Sequence, residues 1–292
     1  MMRRPIIHRV FLPFLRSLFL LAFFTSTSTA LTGRDVQDRL DSDIAQGNPV
    51  VVHVVVALCD NANQGIVPVP DHLGNGQDPI SNLYWGAAYG VRTFLPRSAD
   101  WMKVETTSPE GPCILDRIVL FAMLPREDSV VPVYLIADAW DGAHIQEAMN
   151  AFFEMSAGLE PETVSFNQDG ERGTVEAGGS AHLLAYVGHN GLMEFGLDMP
   201  VPPPTGAPPR SAMVLACMSL SFFHGHLESA GAHSLLLTTG LMAPEAYTLD
   251  GAIRTWVTEG TTVAVIEAAA HAYNRYQHCG MRGARGLFWG EP

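Results

Sequence analysis

The sequence predicts an α/β fold, a three-layer α/β/α sandwich around a mainly parallel sheet, and three observations carry that expectation. Residues 50–58 form an almost unbroken β-branched run, the pattern of a strand covered on both faces. Further apolar strand-like runs alternate with stretches of helical periodicity along the rest of the chain. A linker over residues 201–209 holds five prolines and can form neither helix nor sheet, so it must loop over the surface between two strands.

The elements follow in order. Residues 1–30 have the layout of a secretory signal: Arg3, Arg4 and Arg9, then an apolar run over 10–24 broken by Pro13, Arg16 and Ser17, then small residues with Ser28 and Ala30 where a signal peptidase reads. The apolar run is shorter than the ~20 residues a spanning helix needs, so cleavage and export to the periplasm or beyond are expected, with no integral membrane span afterwards. Residues 31–49 are an N-terminal segment and residues 50–292 the α/β domain. The strand over 50–58 ends in the polar turn 59–65, and a loop rich in proline and glycine follows over 66–77. Asp78 as N-cap and Pro79 at the first helical position predict a helix through Phe94. Residues 114–124 and 130–139 are strands, and the pair reads as a hairpin able to bring an antiparallel strand into the sheet. Residues 144–157 give an amphipathic helix, with Ile145, Ala148, Met149, Phe152 and Phe153 on one side. An exposed loop or hairpin over 163–179 precedes strands over 181–188 and 212–216, a helix over 220–230, a strand over 234–239, and helices over 243–258 and 261–277.

Charge narrows the function classes. The chain carries −13 formally, and without the four arginines of the first thirty residues thirteen basic residues face thirty acidic ones, a charge of −17. Such a field disfavours polyanions, and no basic stripe with interleaved aromatics is present, so nucleic acid is not an expected partner. There is no Gly-x-Ser-x-Gly, no phosphate-cradling glycine loop and no Cys-x-x-Cys, and no cofactor is expected. His224, His226 and Glu228 form a weak metal pattern, because His-x-His on a helix points its rings apart; no metal is expected. Tyr84, Trp85 and Tyr89 read as packing residues. Cys59, Cys113, Cys217 and Cys279 are an even count, and export would permit bridges among them.

Two strand ends stand out. His189 follows the run 181–188, and Cys217 follows 212–216. In an open parallel sheet, strands deliver their C-terminal ends to one edge, where α/β proteins keep their chemistry. A thiol beside an imidazole there is the minimal machinery for covalent attack on an acyl carbon. Asp60, Asn61 and Asn63, at the end of the first strand, are candidates to line a substrate pocket, although Asp and Asn are also ordinary turn residues.

The segments Tyr186-Val-Gly-His-Asn-Gly191 and Val214-Leu-Ala-Cys-Met-Ser219, in that order within alternating strands and helices, resemble the caspase-like (clan CD) cysteine peptidases, a group that includes legumains and CHAT domains. The likeness spans residues 50–258. It departs from the family pattern at Asn190, which stands between the histidine and Gly191, and in a His-to-Cys spacing of 28 residues. The resemblance implies a cysteine hydrolase acting on a peptide or protein, with Cys217 as nucleophile and His189 as general acid and base. It further implies that backbone N–H groups of Cys217 and of Asn190 or Gly191 face the oxyanion. The alternatives are a non-catalytic relative serving as a binding or scaffolding module of the cell envelope, and a disulfide-stabilised ligand-binding domain in which Cys217 is bridged.

Overall fold

The computed structural model describes residues 31–292 apart from positions 108, 110, 169 and 201, and the signal segment expected over residues 1–30 lies outside the described residues. Strand β1 (Val50–Ala57) forms where the β-branched run demands it. Val50, Val52, Val54 and Val56 enter one core, while Val51, Val55 and Ala57 enter the other. A strand with no polar face is stable only inside a sheet covered on both sides. It lies fourth from one edge of an eight-stranded sheet.

Helix α1 (Gly33–Ala45) precedes β1, opened by a capping box between Thr32 and Asp35. After β1, the short helix α2 (Val91–Phe94) leads to β2 (Met102–Thr107), β3 (Ile114–Arg126) and β4 (Ser129–Trp140). Helix α3 (Ile145–Ser156) is followed by β5 (Pro161–Gln168), β6 (Glu171–Gly178), β7 (Leu183–Val187) and β8 (Ser211–Leu215). Helix α4 (Ser219–Ser229), β9 (His233–Thr238), α5 (Ala246–Glu259), α6 (Thr262–Gln277), α7 (Met281–Leu287) and β10 (Phe288–Trp289) complete the chain. The sheet order is β10-β9-β8-β7-β1-β4-β3-β2. Strands β1, β4, β7, β8 and β9 run parallel, and β2, β3 and β10 are antiparallel to their neighbours. This is the mixed, mainly parallel α/β sandwich the sequence predicts.

Each face has its own core. Leu40, Leu249, Ile253, Trp256 and Val265 bring α1, α5 and α6 onto one face. Phe152, Phe153, Phe223 and Leu227 bring α3 and α4 onto the other, joined there by the β5–β6 hairpin through Val164, Phe166 and Val175. Fully burying one such aromatic or aliphatic side chain stabilises the fold by about 1.5–3 kcal/mol. Helix α1 is also tied down by polar groups at the opposite edge of the sheet from the strand C-termini. Arg39 donates to the carbonyls of Ser180 and Pro209, both at 2.7 Å. His182 accepts the Val51 N–H at Nδ1 (3.1 Å) and faces Asp43 through Nε2 (3.0 Å). Burial and the neighbouring Arg39 charge push the His182 imidazole down to about 4 in spite of Asp43.

One expected element is absent. Residues 78–90 are turns, and only Val91–Phe94 is helical. Asp78 does accept N–H groups as a cap would, from Ile80 at 2.9 Å, but Asn82 holds the chain elsewhere. Its side chain receives the Cys59 N–H at 3.1 Å and donates to the Cys59 carbonyl at 2.8 Å, pinning this loop against the end of β1. A Cβ on Gly86 would lie 1.9 Å from the Ile80 carbonyl oxygen, so the backbone doubles back more tightly than a helix allows.

Candidate active site

The strand order reverses at β1. From β1 the chain goes to the far edge and returns through β2 and β3 to β4 on one side of β1, then crosses to β7 on the other side and continues through β8 to β9. The crevice outside the C-terminal ends of strands at such a switch point is where open α/β sheets bind ligands. Val56 pairs with Val187 of β7, and Val187 pairs with Leu215 of β8. His189 and Cys217 each lie two residues beyond that paired level, on adjacent strands at one edge.

The backbone at this edge is tightly specified. At Gly188 (φ 155°) a Cβ would meet the Ala57 carbonyl oxygen at 2.9 Å, so only glycine lets the end of β7 approach β1 this closely. Buried Tyr186 donates its hydroxyl to the His189 carbonyl at 2.8 Å. Asn190 is fully buried, and its side chain donates to the Cys217 carbonyl at 2.7 Å while accepting the Leu192 N–H. This bond ties the histidine loop directly to the cysteine loop. A side chain at Gly191 would collide with the Phe195 ring at 2.4 Å. Beyond Cys217, Met218 sits at φ 51° as the N-cap of α4, its N–H held by the Gly240 carbonyl at 2.8 Å. A left-handed conformation costs a non-glycine residue roughly 1–2 kcal/mol.

His189 and Cys217 share no hydrogen bond; each has another partner. The His189 Nε2 pairs with the Glu194 carboxylate at 2.5 Å, and the same carboxylate oxygen accepts the Gly65 N–H at 2.8 Å. With Nε2 so engaged, Nδ1 is the nitrogen left for chemistry. The Cys217 sulfur receives the Met242 N–H at 3.4 Å and lies 3.6 Å from the Met242 carbonyl oxygen. The backbone N–H groups of Cys217, Asn190 and Gly191 find no acceptor among the described residues. Backbone amides left without an acceptor can stabilise an anion placed against them.

Asp60, Asn61 and Asn63 lie at the same edge but serve the loop around them. Asp60 accepts the N–H groups of Ala62 and Asn63 on one oxygen and the Asn63 and Gln77 amides on the other. Burial alone would raise its carboxyl, yet these hydrogen bonds outweigh it and hold the group below the usual carboxylate range. The Asn61 amide exchanges both hydrogen bonds with the backbone of Val69. Sequence reasoning missed Glu194, Gly65 and Met242. Glu194, five residues past His189, carried a signal in the form of a carboxylate within reach of the ring. Met242 carried none, because only its backbone is involved.

All four cysteines are free thiols, so Cys217 is unbridged. Burial pushes the Cys59 thiol up to about 11, which makes it an inert core residue. His224 leans on Ser234 and the Trp289 ring, whereas His226 stacks on Phe153, so the two rings face different surroundings. Among the described residues one cluster has metal-ligand composition: His53, Asp138 and Glu162. Arg117 lies among them, bonded to both carboxylates. The Gly178 N–H donates to His53 Nδ1 at 3.0 Å, leaving Nε2 as donor to Asp138. Burial would raise the Asp138 carboxyl, but the Arg117 and His53 hydrogen bonds hold it down. The guanidinium supplies the positive charge here, and these donors do not fit a metal ion. The cluster instead fastens the β5–β6 hairpin to the sheet.

Among the described residues no helix is long and apolar enough to cross a membrane. No protein-family model matches this chain, and neither a curated protein nor a solved structure is detectably similar to it.

Proposed function

We propose that the protein is an exported, caspase-like cysteine hydrolase, most simply a peptidase, in which Cys217 is the nucleophile, His189 the general acid and base, and Glu194 the residue that orients His189. The supporting observation is the convergence of an unbridged thiol and a carboxylate-held imidazole on adjacent strands beside the switch point of the sheet. The sulfur attacks the carbonyl carbon of the substrate as the thiolate, its proton passing to the His189 Nδ1. The tetrahedral oxyanion forms toward the free N–H groups of Cys217 and Asn190 or Gly191. The C–N bond then breaks, the amine leaves with the proton from His189, and a thioester to Cys217 remains. Water, deprotonated by His189, hydrolyses the thioester and restores the thiol.

Glu194 gives the imidazolium a counter-charge while fixing the tautomer, the task a buried carboxylate performs in serine-protease triads. The clasp of Met242 on the sulfur favours a second reading, a non-catalytic binding module that keeps the fold with its thiol occupied. Labelling decides between them. Purified protein under reducing conditions is treated with electrophilic peptide ketones and mapped by mass spectrometry, alongside Cys217→Ala and His189→Ala. The hydrolase takes one label at Cys217, lost in Cys217→Ala and slowed in His189→Ala; an unlabelled wild type would favour the binding module.

A further inference from the structure

Three large apolar side chains stand exposed on the loops that hold the candidate site. Val67 lies two residues past Gly65, whose N–H binds Glu194, and is 87% exposed. Leu241 adjoins Met242, whose backbone clasps the Cys217 sulfur, and is 72% exposed. Met193 adjoins Glu194 itself and is 45% exposed. Large aliphatic side chains held out in water are ordinary when scattered but mark a binding surface when they gather round one site. Their gathering is matched by what these loops lack. Residues 65–69, 189–195, 217–222 and 240–245 contain no lysine or arginine, and their only carboxylates are Glu194 and Glu245. Glu194 is committed to His189, and Glu245 accepts the Tyr247 hydroxyl at 2.7 Å and the Gln277 amide. Within these four segments an acidic substrate side chain meets no cation, and a basic one meets no free carboxylate.

Building on the hydrolase assignment above, we infer that the site selects substrates with an apolar side chain, of leucine or phenylalanine type, next to the acyl carbon that is attacked, and that Val67, Met193 and Leu241 form the specificity rim. Covering such a side chain removes water from both partners, and one methylene in an apolar pocket discriminates about 10-fold or more. The selectivity arises from burial and requires no ion pair.

The test uses the full chain and five acetyl-X acyloxymethyl ketones with X as Leu, Phe, Asp, Arg or Gly, read as the rate of Cys217 modification. Leu and Phe are expected to react roughly tenfold faster than Asp, Arg and Gly. The double variant Val67→Ser/Leu241→Ser, altered only at exposed positions, should bring the Leu probe to within about threefold of the Gly probe, while Leu241→Phe keeps the preference. Fastest labelling by Asp or Arg, or a preference that survives the double variant, overturns the apolar rim and leaves the nucleophile in place. Failure of every ketone to label Cys217 removes the hydrolase assignment, and this inference with it.

Discussion

Replacing Glu194 by glutamine isolates one electrostatic contribution. The amide oxygen can still accept the His189 Nε2–H and the Gly65 N–H that the carboxylate now receives at 2.5 and 2.8 Å, so shape and hydrogen bonds persist and only the charge is lost. Two unit charges about 4 Å apart interact by ~1 kcal/mol in water and ~4 kcal/mol at an effective dielectric of 20. With the Glu194 side chain 35% exposed and that of His189 only 10%, the pair lies between those limits. A loss of about 2 kcal/mol of imidazolium stabilisation corresponds to roughly thirtyfold in rate. The assay compares kcat/KM for a peptide anilide and for the p-nitrophenyl ester of the same acyl group. His189 takes the thiol proton in the attack step whichever group leaves, so both rates should fall, the anilide, whose amine must also leave with the His189 proton, by about thirtyfold. Because Glu194 lies at the surface, stability should change by no more than about 0.5 kcal/mol. No loss on either substrate, with stability unchanged, would refute a proton-transfer role for the Glu194–His189 pair.

Two further predictions concern the scaffold. Asp138→Ala leaves buried His53 without its carboxylate and Arg117 with Glu162 as its remaining partner among the described residues, and urea denaturation should show a loss of about 3 kcal/mol; a loss below ~1 kcal/mol would mean that the network does not fasten the hairpin. His182, depressed to about 4 from 6.5, binds its proton in the unfolded chain first as pH falls, so its contribution is complete above about pH 6.5 and is lost progressively toward pH 4. That shift amounts to ~3 kcal/mol, measurable as a falling urea midpoint across this window together with an NMR titration in which the His182 ring stays neutral through pH 5; protonation of that ring near pH 6.5 would show the shift to be absent.

How much of this was legible beforehand depended on whether the deciding interaction was local. β1 was plain because nothing but a doubly covered strand accommodates six valines around one histidine with apolar neighbours on either side. Helix α3 followed from ordinary periodicity, whereas residues 163–179 read only as an exposed loop or hairpin and the structure makes them the β5–β6 hairpin. Helix α1 was hidden because its buried stripe is just Val36 and Leu40 among many polar residues. Edge strand β2, Met102–Thr107, buries almost nothing and gave no alternation to read. The false helix over 78–94 shows the opposite failure. Its Asp-Pro start is a sound local signal, but the Asn82 bonds to the Cys59 backbone are tertiary and prevail. At the site, the positions of His189 and Cys217 were visible because strand ends are local features. The pairing with Glu194 depends on how the loop after β7 folds back over Gly65, and the Met242 clasp depends on backbone alone.

Backbone strain separates the Cys217 edge from the rest of the molecule. Four non-glycine residues have positive φ among the described residues: Glu127, Glu160, Met218 and His278. Glu127 turns the β3–β4 hairpin, Glu160 lies between α3 and β5, and His278 caps the C-terminus of α6, all positions where a turn needs that geometry. Met218 is different. It lies between a buried strand and the first turn of α4, where a relaxed extended cap was available. Its conformation is held by the Gly240 carbonyl on one side, while the next residue, Ser219, is fixed by the Thr238 hydroxyl at 3.1 Å. The same two segments, 238–242 and 217–219, deliver the Met242 amide to the sulfur. Strain that stability does not require persists where surrounding bonds overdetermine it, and such places cluster at functional sites. Here it fixes the course of the backbone after Cys217, whose carbonyl accepts from Asn190 of the His189 loop while its sulfur meets the Met242 backbone.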